Sequence, residues 1–141
     1  MRLRILRTIM EANFIKRYID KPIPKLIEVA VRYCHRYIKK RDSGKGCISC
    51  GAMNPTDAGH FYSAGHYPSL RFDERNIHLQ CSKCNRFLHG NLNEYRKRLP
   101  LRVGEGIVDR LDLIVENARR KGFKWDRMAL IEIIWRYKSK S

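Results

Sequence analysis

The chain has 141 residues, 43% of them hydrophobic. This excludes wholesale disorder and fits one domain, or one small domain with helical extensions. Its 30 Lys and Arg residues against 14 Asp and Glu give a formal net charge of +16, which favours a polyanionic partner, nucleic acid first. A basic protein at a membrane surface is the rival class, but the sequence contains no long uncharged apolar run.

The positive charge is concentrated at the two ends of the chain. Residues 1–46 carry 13 basic and four acidic side chains, and residues 92–141 carry 13 and seven. Residues 47–91 carry only four and three, so we expect chemistry in this near-neutral middle and cationic binding on both flanks. Arginines interrupt the N-terminal residues and leave no apolar core for a signal peptide, so we expect a cytoplasmic protein.

Two helices are predicted before the first cysteine pair. Residues 6–19 favour a short basic helix that ends before Pro22, and apolar residues recur at helical spacing over residues 25–41. Cys34 belongs to that apolar stripe, so we interpret it as a core residue rather than a redox group. The glycine-containing segment 42–46 ends the helix and leads into the cysteine pair.

Two cysteine pairs, in the pattern CxxC, are the strongest motif in the chain. In a reducing compartment such pairs are metal ligands far more often than disulfides. Each pair presents two thiolates from one tight turn, and two turns complete a tetrahedral zinc site. We therefore predict a structural Zn²⁺ that contributes about 10–16 kcal/mol to folding and, with four thiolates, has no open catalytic position. Its ligands are Cys47, Cys50, Cys81 and Cys84.

The segment between the cysteine pairs is too rich in Gly, Pro, Ser and Asn for a long helix. It predicts two short strands, near 57–62 and 76–80, joined by a loop. A helix should begin after the second pair and break at Gly90, which leaves residues 92–99 as a separate helix before Pro100.

The C-terminal part is predicted to be helical. One apolar stripe is followed by a glycine suited to a helix C-cap, and Asp126 is suited to cap a last helix that carries a basic tail. The stripe consists of Ile107, Leu111, Ile114, Val115 and Ala118, and the glycine is Gly122. The predicted fold class is α+β: a zinc-stapled ββα-metal core over residues 47–99, with basic helical segments at 1–46 and 100–141.

The middle segment also contains the residue types that a metal-dependent nuclease uses. A neutral imidazole would deprotonate the attacking water, and we assign this general base to His60. Asp57 and Asn85 would hold a Mg²⁺ or Mn²⁺ ion beside the phosphate, with His89, one helical turn from Asn85, as an additional ligand. Asn76 would join the two strands and orient the base.

One geometric difficulty concerns the acid and the base. In a regular strand Asp57 and His60 point to opposite faces, because the side-chain period is two residues. Both can face one metal only if the strand bulges, and Gly59 between them would permit a bulge.

Structural alternatives remain open for several of these residues. His60 could instead bond to backbone, and Asn85 could cap the helix that follows it. His66 and His78 are more often loop or strand histidines than ligands, although His78 could also face phosphate. The three arginines of the middle segment are either solvated charges or phosphate contacts. These are Arg71, Arg75 and Arg86.

These motifs resemble a known family. CISCG, DAGHF, RFDERNIHLQCSKCN and GNLNEYR, in this order, resemble the phage lambda NinG (Rap) recombination proteins, which belong to the zinc-bracketed HNH, or His-Me finger, endonucleases. The resemblance implies a divalent-metal endonuclease that cuts branched DNA such as Holliday junctions and D-loops. It also implies His60 as the base, recombination proteins as partners and, for a phage protein, the host bacterial cytoplasm. Asn85 stands at the third position of the HNH motif.

Three further expectations concern partners and rival functions. Symmetric cutting of two strands would suit a homodimer, with the apolar C-terminal helices as its interface. A non-catalytic zinc protein that only binds DNA is the alternative to an enzyme. An RNA-binding ribbon is less favoured, because aromatic stacking motifs are not evident.

Overall fold

The computed structural model describes residues 2–141, with side chains from Thr8 onward. This part of the chain forms five α-helices and a two-stranded antiparallel sheet, which confirms the predicted α+β class. The elements are α1 (Arg2–Tyr18), α2 (Ile23–Arg41), β1 (Asp57–His60), β2 (Ile77–Gln80), α3 (Leu92–Val103), α4 (Ile107–Lys121) and α5 (Arg127–Lys140). None of these helices is both long enough and apolar enough to cross a membrane.

The chain divides into two compact units, and the first is helical. It comprises the residues up to Cys34 together with Trp125–Ser141. Phe14 of α1 packs edge-on against Trp135 of α5, with ring centroids 4.8 Å apart. α5 begins as predicted, because the Asp126 side chain accepts a hydrogen bond from the Ala129 backbone N–H at 2.8 Å. Cys34 is fully buried, as expected for a core residue.

The second unit, His35–Lys124, contains the sheet and a hydrophobic core around α3 and α4. Tyr95 and Leu99 of α3 pack with Leu111 of α4 in one buried cluster. Most of the predicted C-terminal stripe faces this core or its edge. Several apolar side chains of α5 are likewise buried, and a homodimer with the C-terminal helices as its interface stays a prediction.

α3 is longer than the sequence predicted. It continues through Pro100 to Val103 and ends at Gly104, whose φ of 123° and N–H bond to the Pro100 carbonyl close the last turn. Proline removes one helical N–H but still accepts at its own carbonyl, and burial of Leu99 in the core supports the helix at that point. A tertiary contact has here outweighed a local helix-breaking signal.

The two strands pair in a continuous register without a bulge. Asp57 lies opposite Gln80 and His60 opposite Ile77. The bulge that Gly59 would permit is absent, so the condition for Asp57 and His60 to face one metal is not met, and they start from opposite faces of β1. Gly59 is needed for another reason: a Cβ atom there would lie 2.9 Å from the Cβ of Gln80, which is too close for any real side chain.

The C-terminal end of α2 is fastened to the sheet by one arginine. Arg41 donates to the carbonyl of Glu74 at 2.8 Å and to the carbonyl of Ile77 at 2.6 Å. It also pairs with Asp42, and the Asp42 carboxylate accepts the backbone N–H of Leu79 at 3.0 Å. These bonds fix the last turns of α2 against β2 and so determine what lies beside the candidate site.

Candidate functional site

The two cysteine pairs come together as predicted. The Sγ atoms of Cys47, Cys50, Cys81 and Cys84 all lie within 4.8 Å of one another. The Cys50 and Cys81 sulfurs are 3.8 Å apart. A tetrahedron with Zn–S bonds of about 2.3 Å has sulfur–sulfur edges of about 3.8 Å, whereas a disulfide requires about 2.05 Å. The cluster therefore suits a metal such as zinc.

Backbone hydrogen bonds shape each cysteine turn for this purpose. The Gly51 N–H donates to the Cys47 carbonyl at 2.9 Å, which closes the first turn. In the second turn the Cys84 backbone N–H and the Asn91 side chain each donate to a cysteine sulfur at 3.4 Å. Such N–H donors stabilise thiolates, the form that binds metal.

Polar contacts join the cysteine turns to the sheet. The Ile48 N–H donates to the Leu79 carbonyl at 3.0 Å, and the Gln80 side chain donates to Ser49 Oγ at 2.7 Å. Gln80 also donates to the carbonyl of Gly90, so its amide spans both turns. A metal bound at the sulfurs would thus also stabilise the end of β2.

Asp57 and Asn85, both predicted ligands of a catalytic metal, are in direct contact. The Asn85 Nδ2 donates to Asp57 Oδ2 at 3.0 Å, although the residues are 28 positions apart. Asn85 sits there because it follows Cys84 within a one-turn π-helix, Lys83–Phe87. Arg86, the next residue, donates to the same carboxylate oxygen at 2.9 Å.

The Asp57 carboxylate is buried but ionised. Burial alone would raise its pKa, but hydrogen bonds from Asn85, Arg86 and Thr56 together lower the pKa below its ordinary value. Arg86 itself remains 69% exposed in its side chain, so its ion pair with Asp57 lies at the protein surface. The exposed guanidinium is therefore accessible to a phosphate, and a cation that bound the carboxylate would have to compete with Arg86.

His60 is held by a backbone carbonyl. Its Nε2 lies 2.9 Å from the carbonyl oxygen of Arg71. A carbonyl can only accept, so Nε2 carries the proton and Nδ1 retains its lone pair. Burial lowers the pKa of His60, which keeps the imidazole neutral near pH 7. A neutral imidazole with a free lone pair is the form that a general base requires.

Asn76 joins the two strands but does not bond to His60. Its side chain exchanges two hydrogen bonds with the backbone of Tyr62, at 2.8 and 2.9 Å, and donates to the carbonyl of Leu70 at 3.1 Å. The residue after Leu70 is Arg71, whose carbonyl binds His60. Asn76 therefore supports the loop that positions the imidazole, and the contacts within the described chain use both of its amide groups.

His35 is the residue at this site that the sequence analysis did not single out. It projects from α2 beside His60, with ring centroids 5.7 Å apart. Burial lowers its pKa to about 4, with smaller contributions from His60, Lys39 and Arg71. No local spacing rule links positions 35 and 60. Only the presence of a histidine one helical turn before Lys39, on a helix next to the cysteine core, hinted at a role.

The predicted role of His89 is wrong in its structural premise. The π-helix ends at Phe87, and His89 lies in the exposed turn that follows, with a φ of 50°. The chain reverses there because Gly90 bonds back to the Cys84 carbonyl at 2.8 Å. His89 consequently does not share a helical face with Asn85, and it belongs to no metal-binding group found among the described residues.

The other predicted arginines and histidines divide between local pairs and the core. Arg75 pairs with Asp73 at 2.6 Å. His78 is buried and bonds to the Tyr95 hydroxyl at 3.1 Å, and burial lowers its pKa to about 3. This confirms the interpretation of His78 as a strand histidine. His66 is exposed and contacts Ser63 Oγ at 3.0 Å.

The predicted site residues thus form two groups. Asp57, Asn85 and Arg86 lie on the face of β1 that meets the cysteine turns, and His60 and Arg71 form the other group on the α2 side. Across the part of the chain with described side chains, the four cysteines are the only cluster of at least three His, Cys, Asp or Glu residues placed to share a metal.

Comparison with known proteins gives a consistent result. The family model described as "Bacteriophage Lambda NinG protein" matches residues 10–141. The "Protein ninG" of Escherichia phage 933W and that of Salmonella phage P22 are each 41% identical over 100 residues, and that of Escherichia phage lambda is 40% identical over 100 residues. These alignments cover 70% of this chain and 50%, 49% and 49% of the relatives, respectively.

The chain therefore spans about half the length of the curated relatives it matches. No solved structure matches it significantly.

Proposed function

Because this chain belongs to the bacteriophage NinG family, we propose that it is a metal-dependent endonuclease acting on branched DNA, with an HNH-like site. The observation that supports this most strongly is the contact between Asp57 and Asn85. Two oxygen-bearing side chains from distant segments are brought together by the cysteine turns, and a neutral imidazole stands at the other end of the same short strand. The +16 net charge suits a nucleic-acid substrate.

The first half of the proposed site binds a divalent cation. The Asp57 carboxylate supplies charge, and Asn85 Oδ1 is free of the hydrogen bond that its Nδ2 makes. Oxygen ligands of this kind suit Mg²⁺ or Mn²⁺. When bound, such an ion would stabilise the charge that develops on the phosphate and on the leaving oxygen.

The second half activates water. With its Nε2–H bound to the Arg71 carbonyl, the His60 imidazole can accept a proton at Nδ1 without changing its orientation. Depression of the His60 pKa by burial keeps this nitrogen unprotonated in the neutral pH range. Asn76 supports the loop that carries Arg71 and thereby acts as a positioning residue.

The two halves start from opposite faces of β1, and this constrains the proposal. Residues 57 and 60 are separated by three strand steps, about 10 Å along the backbone. One phosphodiester must reach both halves for cleavage to occur, so removal of either half must abolish cutting.

A non-catalytic DNA-binding protein is the second candidate, and one observation favours it. Arg86 already occupies the Asp57 carboxylate with two hydrogen bonds, at 2.9 and 3.3 Å, so a guanidinium stands where the cation would bind. In that case the carboxylate would orient Arg86 toward DNA phosphates and would not bind a metal.

Cleavage of an end-labelled Holliday junction by the zinc-loaded 141-residue chain separates the two candidates. The assay is run with Mg²⁺, with Ca²⁺ and without divalent ions. The enzyme requires Mg²⁺-dependent cleavage that His60→Ala reduces by about 10²–10⁴-fold, the usual range for loss of a general base. Asp57→Asn should abolish cleavage as well, and both variants should still bind the junction. His66→Ala is the matched control, because His66 is an exposed histidine outside both groups.

Absence of cutting with Mg²⁺ or Mn²⁺ on junctions, D-loops, nicked duplex and linear duplex, with tight binding retained, would establish the non-catalytic alternative. Loss of cleavage in His60→Ala but not in Asp57→Asn would contradict the proposed division of labour. A parallel competition with RNA tests whether DNA is the preferred polyanion.

A further inference from the structure

Three residues from three different segments meet on the α2 side of the sheet, and we name them the His35 cluster: His35, His60 and Arg71. His35 comes from α2, His60 ends β1, and Arg71 follows a short 3₁₀ turn, Pro68–Leu70. The two imidazole rings are 5.7 Å apart at their centroids, and His60 is hydrogen-bonded to the Arg71 backbone. The Arg41 contacts described above fix the end of α2, so the position of His35 is built into the fold.

The cluster contains hydrogen-bond donors that the protein itself does not use. In the described part of the chain Arg71 Nε is buried without a hydrogen-bond partner, and the half-buried His35 ring packs against His60 rather than against a polar group of the protein. Arg71 also forms no ion pair there, unlike Arg75 and Arg86. An unpaired buried donor is costly to a protein, so donors left in this state are expected to be satisfied by a ligand or by solvent.

The electrostatic surroundings select the sign of that ligand. The groups that act on the His35 charge are His60, Lys39 and Arg71, and all of them disfavour a further positive charge. The nearby carboxylates of the 68–76 segment are already engaged, since Asp73 pairs with Arg75 and Glu74 accepts from the Tyr37 hydroxyl. The cluster thus offers donors without a carboxylate, a combination that attracts an anion and repels a metal cation.

We propose that His35 and Arg71 together bind the DNA phosphate group on which His60 acts. This inference rests on the proposed function, because it assigns the substrate contact of the same site. Arg71 supplies the charge and His35 supplies a neutral N–H donor, so the phosphate is held by groups from two chain segments next to His60. His35 is on this reading a phosphate-binding residue of the nuclease site.

Binding is tested independently of cleavage, with the zinc-loaded full chain labelled with ¹⁵N and no divalent metal added. Histidine ring and arginine Nε resonances are followed by NMR while inorganic phosphate or the dinucleotide thymidylyl-thymidine is added in separate titrations. We expect the dinucleotide to shift the resonances of His35, His60 and Arg71, with no shift at His66. Movement with inorganic phosphate alone would show a free-phosphate site and would overturn the assignment to nucleic acid, as would no movement of His35 in either titration.

The kinetic test uses His35→Asn and His35→Gln, which retain a neutral amide donor to different lengths, beside His35→Ala and the control His66→Asn. Loss of a hydrogen bond to a charged group should raise KM for a branched substrate about tenfold in His35→Ala, with a smaller effect on kcat. At least one amide variant should recover part of that loss. Unchanged KM in all three His35 variants would refute the inference while leaving the nuclease proposal intact.

The opposite result is also distinguishable. If the dinucleotide shifts the cluster resonances but no substrate is cut with any divalent ion, the phosphate site stands without hydrolysis. That result would refute the proposed endonuclease. It would also overturn the inference, because the cluster would bind a DNA phosphate on which His60 does not act.

Discussion

The two faces of the β1–β2 hairpin are built on different principles. On the face toward the cysteine turns, polar groups pair with one another: Asp57 with Asn85 and Arg86, and His78 with Tyr95. On the face toward α2, His60 has one hydrogen bond, and Arg71 Nε is buried without a hydrogen-bond partner among the described residues. Strand register alone decides which residue belongs to which face.

This difference shows how a small polar domain can reconcile stability with chemistry. The paired face is stabilised by a thiolate cluster and a hydrogen-bond network, which hold its side chains in place. The other face is fixed from outside by Arg41 and Asn76 and can leave His35 and Arg71 unpaired. Four changes would break or sharpen this comparison, and the first has the largest expected effect.

Removal of one thiolate should unfold the paired face. Cys81→Ser leaves three sulfurs, and because structural zinc contributes about 10–16 kcal/mol to folding in small domains, we expect loss of bound zinc and of cooperative unfolding near residues 47–91. Zinc content by mass spectrometry and thermal unfolding by circular dichroism measure this. Cys34→Ser is the matched control: it makes the same chemical change in a fully buried position and should retain one zinc per chain.

A methyl group at position 59 should disrupt the packing of the paired face without touching the metal. Gly59→Ala places a Cβ 2.9 Å from the Gln80 Cβ, so we expect a loss of about 1–3 kcal/mol in the free energy of unfolding. Urea denaturation gives the value. Gly65→Ala, where nothing lies within 4 Å of the added Cβ, should be close to neutral. Equal stability of the two variants would contradict the regular register.

Acid should destabilise the unpaired face through His35. Folding lowers the pKa of His35 to about 4, mainly by burial, so the unfolded chain binds this proton first as the pH falls. The contribution of neutral His35 to the free energy of unfolding is fully present above about pH 6.5. It is lost as the pH falls toward 4. Between pH 7 and 5 the wild type should therefore lose about 1–2 kcal/mol more than His35→Asn in urea denaturation.

Identical pH profiles for wild type and His35→Asn would show that this imidazole is not buried beside His60. Zinc release at low pH affects both proteins alike, so the difference between them isolates the histidine.

The smallest effect concerns the exposed ion pair. Arg86→Gln removes a guanidinium from the Asp57 carboxylate, and because exposed pairs are worth roughly 0–1 kcal/mol, Mn²⁺ affinity at this site should rise by no more than about fivefold. Paramagnetic line broadening of resonances near Asp57 measures the Mn²⁺ affinity. Arg75→Gln, which breaks the separate ion pair with Asp73, is the control. Weaker Mn²⁺ binding after Arg86→Gln would place the cation elsewhere.

Local signals were sufficient for most of the elements. The Asp126 cap, the glycine after α4 and the breaks around Gly90 act through nearby backbone atoms, so their effects are visible in the sequence. Pro100 misled the prediction because its helix-breaking tendency is also local, whereas the burial of Leu99 that outweighed it is not.

The sequence by itself determined the cysteine cluster, the α+β class and the side-chain types available for catalysis. Fixed CxxC spacing and regular hydrophobic periods carry that information within a few residues. Only the tertiary structure decided that β1 is regular, that His89 lies off its helix and that His35 stands beside His60. Each of these features depends on where a segment distant in sequence packs against the sheet. The free energy of that packing comes from contacts throughout the folded chain, so no short stretch of sequence specifies it.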